Sequence, residues 1–109
     1  MYKRQLLLFG RLTVVEQDGT LIGYLAITVK DEVAQIARLA VHPAWSGQGL
    51  GRRLLAEGLE AARALGCRRA ILNTQAPNRR AQALYRSFGF RPSGERFEVY
   101  TRPALSAGV

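Results

Sequence analysis

The chain has 109 residues, of which 48% are hydrophobic and 22% are charged; this suits one compact domain and excludes a multidomain protein. Sixteen Lys and Arg face eight Asp and Glu, and the formal net charge of +8 predicts an anionic partner. A single cysteine, Cys67, and a single histidine, His42, exclude a disulfide framework and a zinc site of the usual ligand number. No apolar run approaches the ~20 residues that cross a bilayer, and residues 6–9 are too short for a secretory signal, so we expect a cytoplasmic protein.

The two ends of the chain differ from its middle. Residues 1–5 read as a possible adapter or cloning scar, and residues 103–109 have no periodicity and are expected to fray. The domain is therefore expected over residues 6–102, with its sheet beginning at Leu12. Such a sheet would expose an unpaired edge and an apolar patch. This predicts either a gene shortened at its 5′ side or, as the alternative, a short homologue that forms a homodimer.

Three β-type segments come first in the chain. Apolar residues at 12–14 and 21–29 flank Asp18-Gly19, a strong hairpin signal. A second turn leads into residues 33–41, and His42-Pro43 ends that strand because proline cannot donate a ladder hydrogen bond. These segments predict an antiparallel meander.

Two helices and two further strands follow. The apolar stripe over residues 50–65 predicts a helix that the next glycine ends, and residues 70–72 read as a short buried strand. A second helix is expected over residues 78–89, and residues 97–101 alternate like a final strand. The core-facing stripe of the second helix is expected to consist of Ala81, Leu84, Tyr85 and Phe88. The order β-β-β-α-β-α-β predicts an α/β fold with a mixed, mostly antiparallel central sheet and two helices.

A glycine-rich loop lies between the third strand and the first helix. It begins at Ser46 and contains Gly47, Gly49 and Gly51, with Arg52 directly after them. Backbone amides in such a loop, with a helix N-terminus behind them, bind phosphate, and glycine permits both close approach and a positive φ. The alternative is a tight turn in which glycine only relieves crowding. The spacing completes neither a Rossmann fingerprint nor a Walker loop.

This loop is part of a longer combination of motifs. The combination consists of Leu39-Ala40-Val41-His42-Pro43, Gly47-Gln48-Gly49-Leu50-Gly51, Asn78, Ala81, Leu84-Tyr85 and Gly89-Phe90. Over residues 11–101 it resembles the GNAT superfamily of acetyl-CoA-dependent N-acetyltransferases. The resemblance implies a transferase, more narrowly an acyltransferase, that takes acetyl-CoA as co-substrate and a primary amine as acceptor. It implies no metal.

The resemblance also implies a role for each matching residue. Leu39, Ala40 and Val41 would hold the thioester and the pantetheine arm of the coenzyme, which Asn78 would also touch. Tyr85 would be the general acid that protonates the leaving thiolate; the alternative is a core aromatic at helical spacing. The pyrophosphate would be bound by Ser46, Gly47, Gln48, Gly49, Leu50, Gly51 and Arg52.

Two positions depart from the family pattern. Ser46 stands where the family usually has Arg or Gln, so a long polar side chain is lost while the amides remain. Gln35 occupies the inward position at which the family often has a glutamate base, and an amide cannot accept a proton at neutral pH. Asn73 could orient a water, whereas Glu32 is expected to be solvated and His42 to be structural. An amine that arrives deprotonated needs no base, because proximity alone can suffice.

Other function classes remain open at this point. The family begins with a strand and two helices that shape the acceptor pocket, and nothing similar is predicted before Leu12. A catalytically inactive or incomplete acyl-CoA-binding fold is therefore one alternative. A nucleic-acid-binding module would use the positive charge, but aromatic residues do not interleave with Arg on any strand. The acceptor stays open among a protein N-terminus, a lysine, an aminoglycoside and a polyamine.

Overall fold

A computed structural model describes residues 2–7, 10–73, 79–94 and 96–101. In chain order, its strands and helices are β1 Tyr2–Leu7, β2 Gly10–Gln17, β3 Thr20–Lys30, β4 Val33–Val41, a 3-10 helix Pro43–Trp45, α1 Leu50–Ala64, β5 Arg69–Asn73, α2 Arg79–Ser87, β6 Arg91–Ser93 and β7 Arg96–Tyr100. The described strands form one seven-stranded sheet in the order β1-β2-β3-β4-β5-β7-β6. Among the described strands, only β4 and β5 pair in parallel. The predicted mixed, mostly antiparallel sheet with two helices is confirmed.

The start of the sheet differs from the expectation. The sequence predicted that it begins at Leu12 with an open edge, but β1 pairs antiparallel with β2, from Tyr2 opposite Glu16 to Leu7 opposite Arg11. That prediction was wrong because short mixed segments have little strand propensity of their own and gain it by pairing with a neighbour. The three-residue β6, which contains a proline, was missed for the same reason.

The hairpin turns explain how the first strands reverse. Asp18 and Gly19 both have positive φ, 51° and 78°, and so do Asp31 and Glu32, 52° and 63°. Two consecutive residues with positive φ give the turn twist that matches the twist of paired strands. The predicted meander over β2, β3 and β4 therefore rests on two tight two-residue turns.

Both helices pack on one face of the sheet, which we call the helix face. A Cβ on Gly58 of α1 would collide with Leu25 of β3, and Tyr85 of α2 lies 6.0 Å from Phe97 of β7 between ring centroids. One buried row of this face, in register across four strands, is Ile27, Ile36, Leu72 and Phe97. The hydrophobic core therefore lies between this face and the helices.

The other side of the sheet, which we call the open face, carries a different row. That row consists of Thr28, Gln35, Ile71 and Glu98. The first two are exposed and the other two are half-buried. Gln35 therefore does not have the inward position that the sequence predicted, because its side chain alternates with those of the buried Ala34 and Ile36.

No helix in the described part of the chain is long and apolar enough to cross a membrane.

Candidate functional site

A cleft of about 540 Å³ opens between the end of β4, the glycine loop and the two helices. The predicted site residues that line it are Leu39, Val41, Ser46, Gly47, Gly49, Leu50, Gly51, Arg52 and Tyr85. Ala40 and Gln48 do not line it, and Asn78 lies outside the described residues. The lining residues that were not predicted as site residues are Trp45, Arg80, Ala81, Ala83 and Leu84.

A β-bulge in β4 creates one wall of the cleft. Ala26 pairs with Arg38 and Ile27 pairs with Ile36, so Ala37 is an extra residue on β4. Pairing between β4 and β5 ends at Ile36. Because a bulge bends its strand and breaks the ladder, the second half of β4 has no described β5 residue beside it.

The backbone of this second half points into the cleft. The His42 N–H donates to the Ile22 carbonyl on β3, at 2.7 Å. Backbone groups of successive strand residues point to alternate edges, so those of Val41 and Leu39 point away from β3, toward the gap left by β5. The backbone of Ala40 points toward β3 by the same alternation. This explains why Ala40 does not line the cleft.

The N-terminal end of α1 follows the glycine loop, lies at the cleft and has no side-chain cap. Gly49 is the N-cap of α1, with φ 83° and no side-chain cap, and its carbonyl accepts the first helical bond, from the Arg53 N–H at 3.0 Å. The amides of Leu50, Gly51 and Arg52 precede that bond and therefore have no partner within the helix. Such a terminus carries partial positive charge and donates to anions.

Glycine is required in this loop for conformation rather than for space. Gly47 and Gly49 have φ of 79° and 83°, and a Cβ built on either residue meets nothing within 4 Å. A side chain at either position would therefore not clash with the protein. It would strain the backbone at positive φ, and it would occupy space beside the loop amides that a bound phosphate needs. This matches the predicted need for positive φ.

The charged residues around the cleft are basic. Among the described lining residues there is no Asp or Glu. The Arg52 guanidinium lies 5.4 Å from the centroid of the Phe88 ring, and an Arg80 N–H donates to Ser46 Oγ at 2.9 Å. The cleft therefore combines backbone donors with two arginines, which suits an anionic ligand.

The end of α2 holds Tyr85 in place. The Phe90 N–H donates to the Tyr85 carbonyl at 3.1 Å, and the Gly89 N–H donates to the Arg86 carbonyl at 3.0 Å. With φ of 91° at Gly89, this is a Schellman motif, in which the residues at its two ends usually make an apolar contact. The Tyr85 ring lies 6.0 Å from the rings of Phe90 and Phe97.

Burial gives Tyr85 the properties of a neutral donor. Desolvation raises the pKa of its hydroxyl above the ordinary value. The stripe predicted to face the core does so in part and also borders the cleft: Leu84, Tyr85 and Phe88 are half-buried against the core, and Ala81, Leu84 and Tyr85 line the cleft. Their apolar surface is available to a ligand.

The candidate bases considered from the sequence do not line the cleft. His42 Nδ1 accepts from the Ala44 N–H at 3.0 Å and caps the 3-10 helix, so its predicted structural role is confirmed. Glu32 is solvated, as predicted, with its carboxylate 3.9 Å from Arg68. Gln35 and Asn73 are exposed. No group of three or more His, Cys, Asp or Glu side chains within the described ranges could hold a metal ion.

Arg80 is the most informative residue that sequence reasoning missed. It lies one turn before Leu84-Tyr85 on α2 and directly follows another arginine, Arg79. A helical wheel could have placed Arg80 beside Ala81 and Leu84. The 34-residue separation from Ser46 hid their contact, because only the tertiary fold brings the two together.

Comparison with known proteins places this architecture in a family. The chain matches the model of the Acetyltransferase (GNAT) family over residues 2–90. A Bacillus subtilis protein, named as a candidate ribosomal protein bS18-alanine N-acetyltransferase, is 37% identical over 93 residues, which are 85% of this chain and 62% of that protein. The chain thus spans less than two thirds of this relative.

Solved structures share the fold. The ribosomal-protein-S18-alanine N-acetyltransferase of Escherichia coli superposes with a TM-score of 0.76 at 24% identity, covering 98% of this chain and 76% of that one. The PaiA N-acetyltransferase of Thermoplasma acidophilum, in complex with coenzyme A, has a TM-score of 0.69 at 23% identity, covering 80% and 57%. The chain belongs to the GNAT family of acetyltransferases.

Proposed function

We propose that this chain binds acetyl-CoA in the cleft and transfers its acetyl group to a primary amine. The observation that carries the proposal is the junction of two features: the uncapped end of α1, which suits phosphate, lies beside a strand whose backbone is freed by the bulge at Ala37. A coenzyme that carries phosphate and an amide-containing arm needs both features, because the helix end can bind the phosphate and the strand backbone can bind the arm. Its arm would pair with the backbone of Leu39 and Val41 as an added half-strand. The related PaiA structure contains coenzyme A.

The proposed reaction is direct attack. The amine nitrogen forms a bond to the thioester carbon, and the carbonyl oxygen becomes an oxyanion. The Leu39 N–H would stabilise that oxyanion, an interaction worth about 3 kcal/mol in comparable sites. The C–S bond then breaks and its electron pair leaves with sulfur.

Tyr85 would complete the proton balance. Its neutral hydroxyl donates a proton to the leaving thiolate, and the proton lost by the acetylated nitrogen returns to the phenolate through solvent. The hydroxyl is in its donor form at neutral pH, because the ordinary tyrosine pKa is about 10 and burial raises the pKa of Tyr85 further. Packing against Phe90 and Phe97 keeps the ring in one place.

We propose a protein N-terminus as the acceptor. The Bacillus subtilis and Escherichia coli proteins are named for acetylation of an alanine of a ribosomal protein. An α-amino group, with a pKa of about 8, is partly neutral at physiological pH, whereas a lysine amine, with a pKa near 10.4, is almost entirely charged. An α-amine therefore suits a cleft whose described lining contains no carboxylate or imidazole.

A coupled assay would test this function. The protein is incubated with acetyl-CoA and one of three peptides: one with a free N-terminal alanine, the same peptide with that amine blocked, and the blocked peptide with an internal lysine. Release of free thiol and a mass increase of one acetyl group are measured. We expect both with the free N-terminus only. Acetylation of the lysine alone would contradict the proposal that the acceptor is a protein N-terminus. Transfer to none of the amines would contradict the proposed acetyltransferase activity.

A second candidate is an acyl-CoA-binding protein without turnover. The observation that favours it is the exposure of Gln35 and Asn73, both of them amides, on the open face where a base would be sought. Calorimetry distinguishes the two functions: binding of acetyl-CoA with no transfer to any peptide supports this candidate. An RNA competitor that displaces acetyl-CoA would instead support a nucleic-acid-binding function.

A further inference from the structure

We propose that Arg80 binds the pyrophosphate of the coenzyme from across the cleft and replaces a long polar side chain that the loop lacks at Ser46. This inference rests on the proposed function. It adds a binding residue from α2 to a phosphate site otherwise formed by the loop and α1.

The contact between Arg80 and Ser46 brings α2 to the loop. Arg80 donates one N–H to Ser46 Oγ at 2.9 Å, and both residues line the cleft. A guanidinium has five N–H donors in a planar fork. The contact with Ser46 uses one of them, so the remaining donors can bind oxygens of a phosphate held on the loop amides.

The position of Arg80 differs from that of the other arginine in the cleft. The Arg52 guanidinium stacks on Phe88, just beyond the C-terminal end of α2, whereas Arg80 is the second residue of that helix. Phe88 is eight positions after Arg80, which corresponds to a helical rise of about 12 Å. The two guanidinium groups therefore serve different parts of the cleft, and Arg80 is the one beside the start of the loop.

Ser46 acts as a positioning residue for Arg80. Position 46 opens the glycine loop and holds a serine, whose side chain is short and uncharged. A serine cannot itself supply a charge to a phosphate, but its hydroxyl accepts from Arg80. The charge needed at the loop thus comes from a residue 34 positions later in the chain.

Binding measurements with matched variants test the proposal. Arg80→Gln removes the charge, and Arg79→Gln is the control, because it makes the same change at the neighbouring exposed residue, which does not line the cleft. Each variant is titrated with coenzyme A and with dephospho-coenzyme A, which lacks the 3′-phosphate but keeps the pyrophosphate. The melting temperature without ligand checks that each variant is folded.

We expect Arg80→Gln to weaken both ligands by about tenfold, the scale of one charged hydrogen-bonding partner, and Arg79→Gln to change either by less than about threefold. Adding Ser46→Arg to Arg80→Gln should restore most of the lost affinity, because the charge returns to the loop. An equal effect of the Arg79 and Arg80 variants would overturn the proposal. So would an effect of Arg80→Gln that disappears with dephospho-coenzyme A, since Arg80 would then bind the 3′-phosphate.

The result also separates this inference from the proposed function. If the parent protein binds coenzyme A and Arg80→Gln binds it equally well, only the role of Arg80 is wrong. If the parent protein shows no binding of either ligand, the proposed function itself is wrong.

Discussion

The two faces of the sheet differ in what covers them. On the helix face, α1 and α2 pack over the core, and Leu72 of β5 is 3% exposed. On the open face, no helix in the described part of the chain covers the neighbouring Ile71, which is half-buried beside the exposed Gln35. The same strand therefore supplies one residue to a packed core and the next to a surface.

This difference separates the parts of the proposed reaction. The features proposed to bind the coenzyme are backbone groups of β4, the amides of the glycine loop and the side chain of Arg80, all of which lie at the cleft. Chemistry at the acceptor amine would depend on side chains near the bulge and on the open face, where Gln35 and Asn73 offer no proton acceptor. The structure therefore offers more candidate residues for the proposed coenzyme site than for the proposed acceptor site.

The sharpest test of the comparison uses two neighbours on β5. Leu72→Ala should lower the free energy of unfolding by about 2–5 kcal/mol, because it leaves a cavity in the core. Ile71→Ala should cost only about 1 kcal/mol, because that side chain already contacts solvent. Urea denaturation measures both. Equal losses would mean that both faces of the sheet are covered in solution.

One substitution in the glycine loop should abolish the proposed phosphate binding. Gly49→Glu should weaken coenzyme A by about 100-fold or more, since it places a carboxylate where the phosphate would lie and strains a residue at φ 83°. Gly19→Glu is the control, because it changes a glycine with φ 78° and open surroundings in the turn after β2. Calorimetry should detect a loss only for the first variant. Unchanged binding by Gly49→Glu would show that phosphate lies elsewhere.

Tyr85 tests whether the cleft performs chemistry. Tyr85→Phe should reduce turnover by about 100-fold, the scale of general acid catalysis, and leave coenzyme A affinity within about threefold. Tyr100→Phe is the control, because Tyr100 is 66% exposed and does not line the cleft. Steady-state kinetics with an alanine-terminated peptide measure turnover. If both variants turn over like the parent, Tyr85 is a packing residue only.

The pH dependence should reflect the substrate amine and Tyr85 separately. Burial raises the pKa of Tyr85, so its donor form persists to at least the ordinary tyrosine value of about 10. The acceptor α-amine must lose its proton first, so the rate should rise about tenfold per pH unit below pH ~8 and then level off. A rate profile measures this. A decline beginning near neutral pH would show that the group acting as acid is not Tyr85.

The smallest effect concerns how α1 packs on the helix face. A Cβ on Gly58 would collide with Leu25, so Gly58→Ala should destabilise the ligand-free protein by about 1–3 kcal/mol. Gly51→Ala is the matched control in the same helix, because its Cβ would lie 3.6 Å from Val41, an ordinary contact. It should be neutral or slightly stabilising. Thermal unfolding compares the two, and a stabilising Gly58→Ala would show that α1 can move off the sheet.

Much of the fold and part of the cleft could be predicted because their signals are local. Asp18-Gly19 predicted a hairpin, and the structure has a two-residue turn there with positive φ. The apolar stripe of α1 predicted a buried helix face, and its stop signal is confirmed by Gly66 at φ 86°. The glycines of the loop predicted positive φ, which two of them have.

Interactions between distant segments could not be predicted in the same way. β1 becomes a strand by pairing with β2, and Gln35 faces outward because the row across β3, β4 and β5 places it there. The bulge interrupts the alternation along β4, because Ala37 and Arg38 are both exposed, but only the register with β3 identifies Ala37 as the extra residue.

The sequence alone determined the order of elements, the turns and the helix ends, because each depends on the backbone preferences of a few adjacent residues. Tertiary structure decided which side chains meet, because contacts such as Arg80 with Ser46 join residues far apart in the chain. It also decided that the stripe on α2 borders a cleft. Apolar periodicity shows that one side of a helix is shielded from water, but only the neighbouring elements determine whether the core or a ligand shields it.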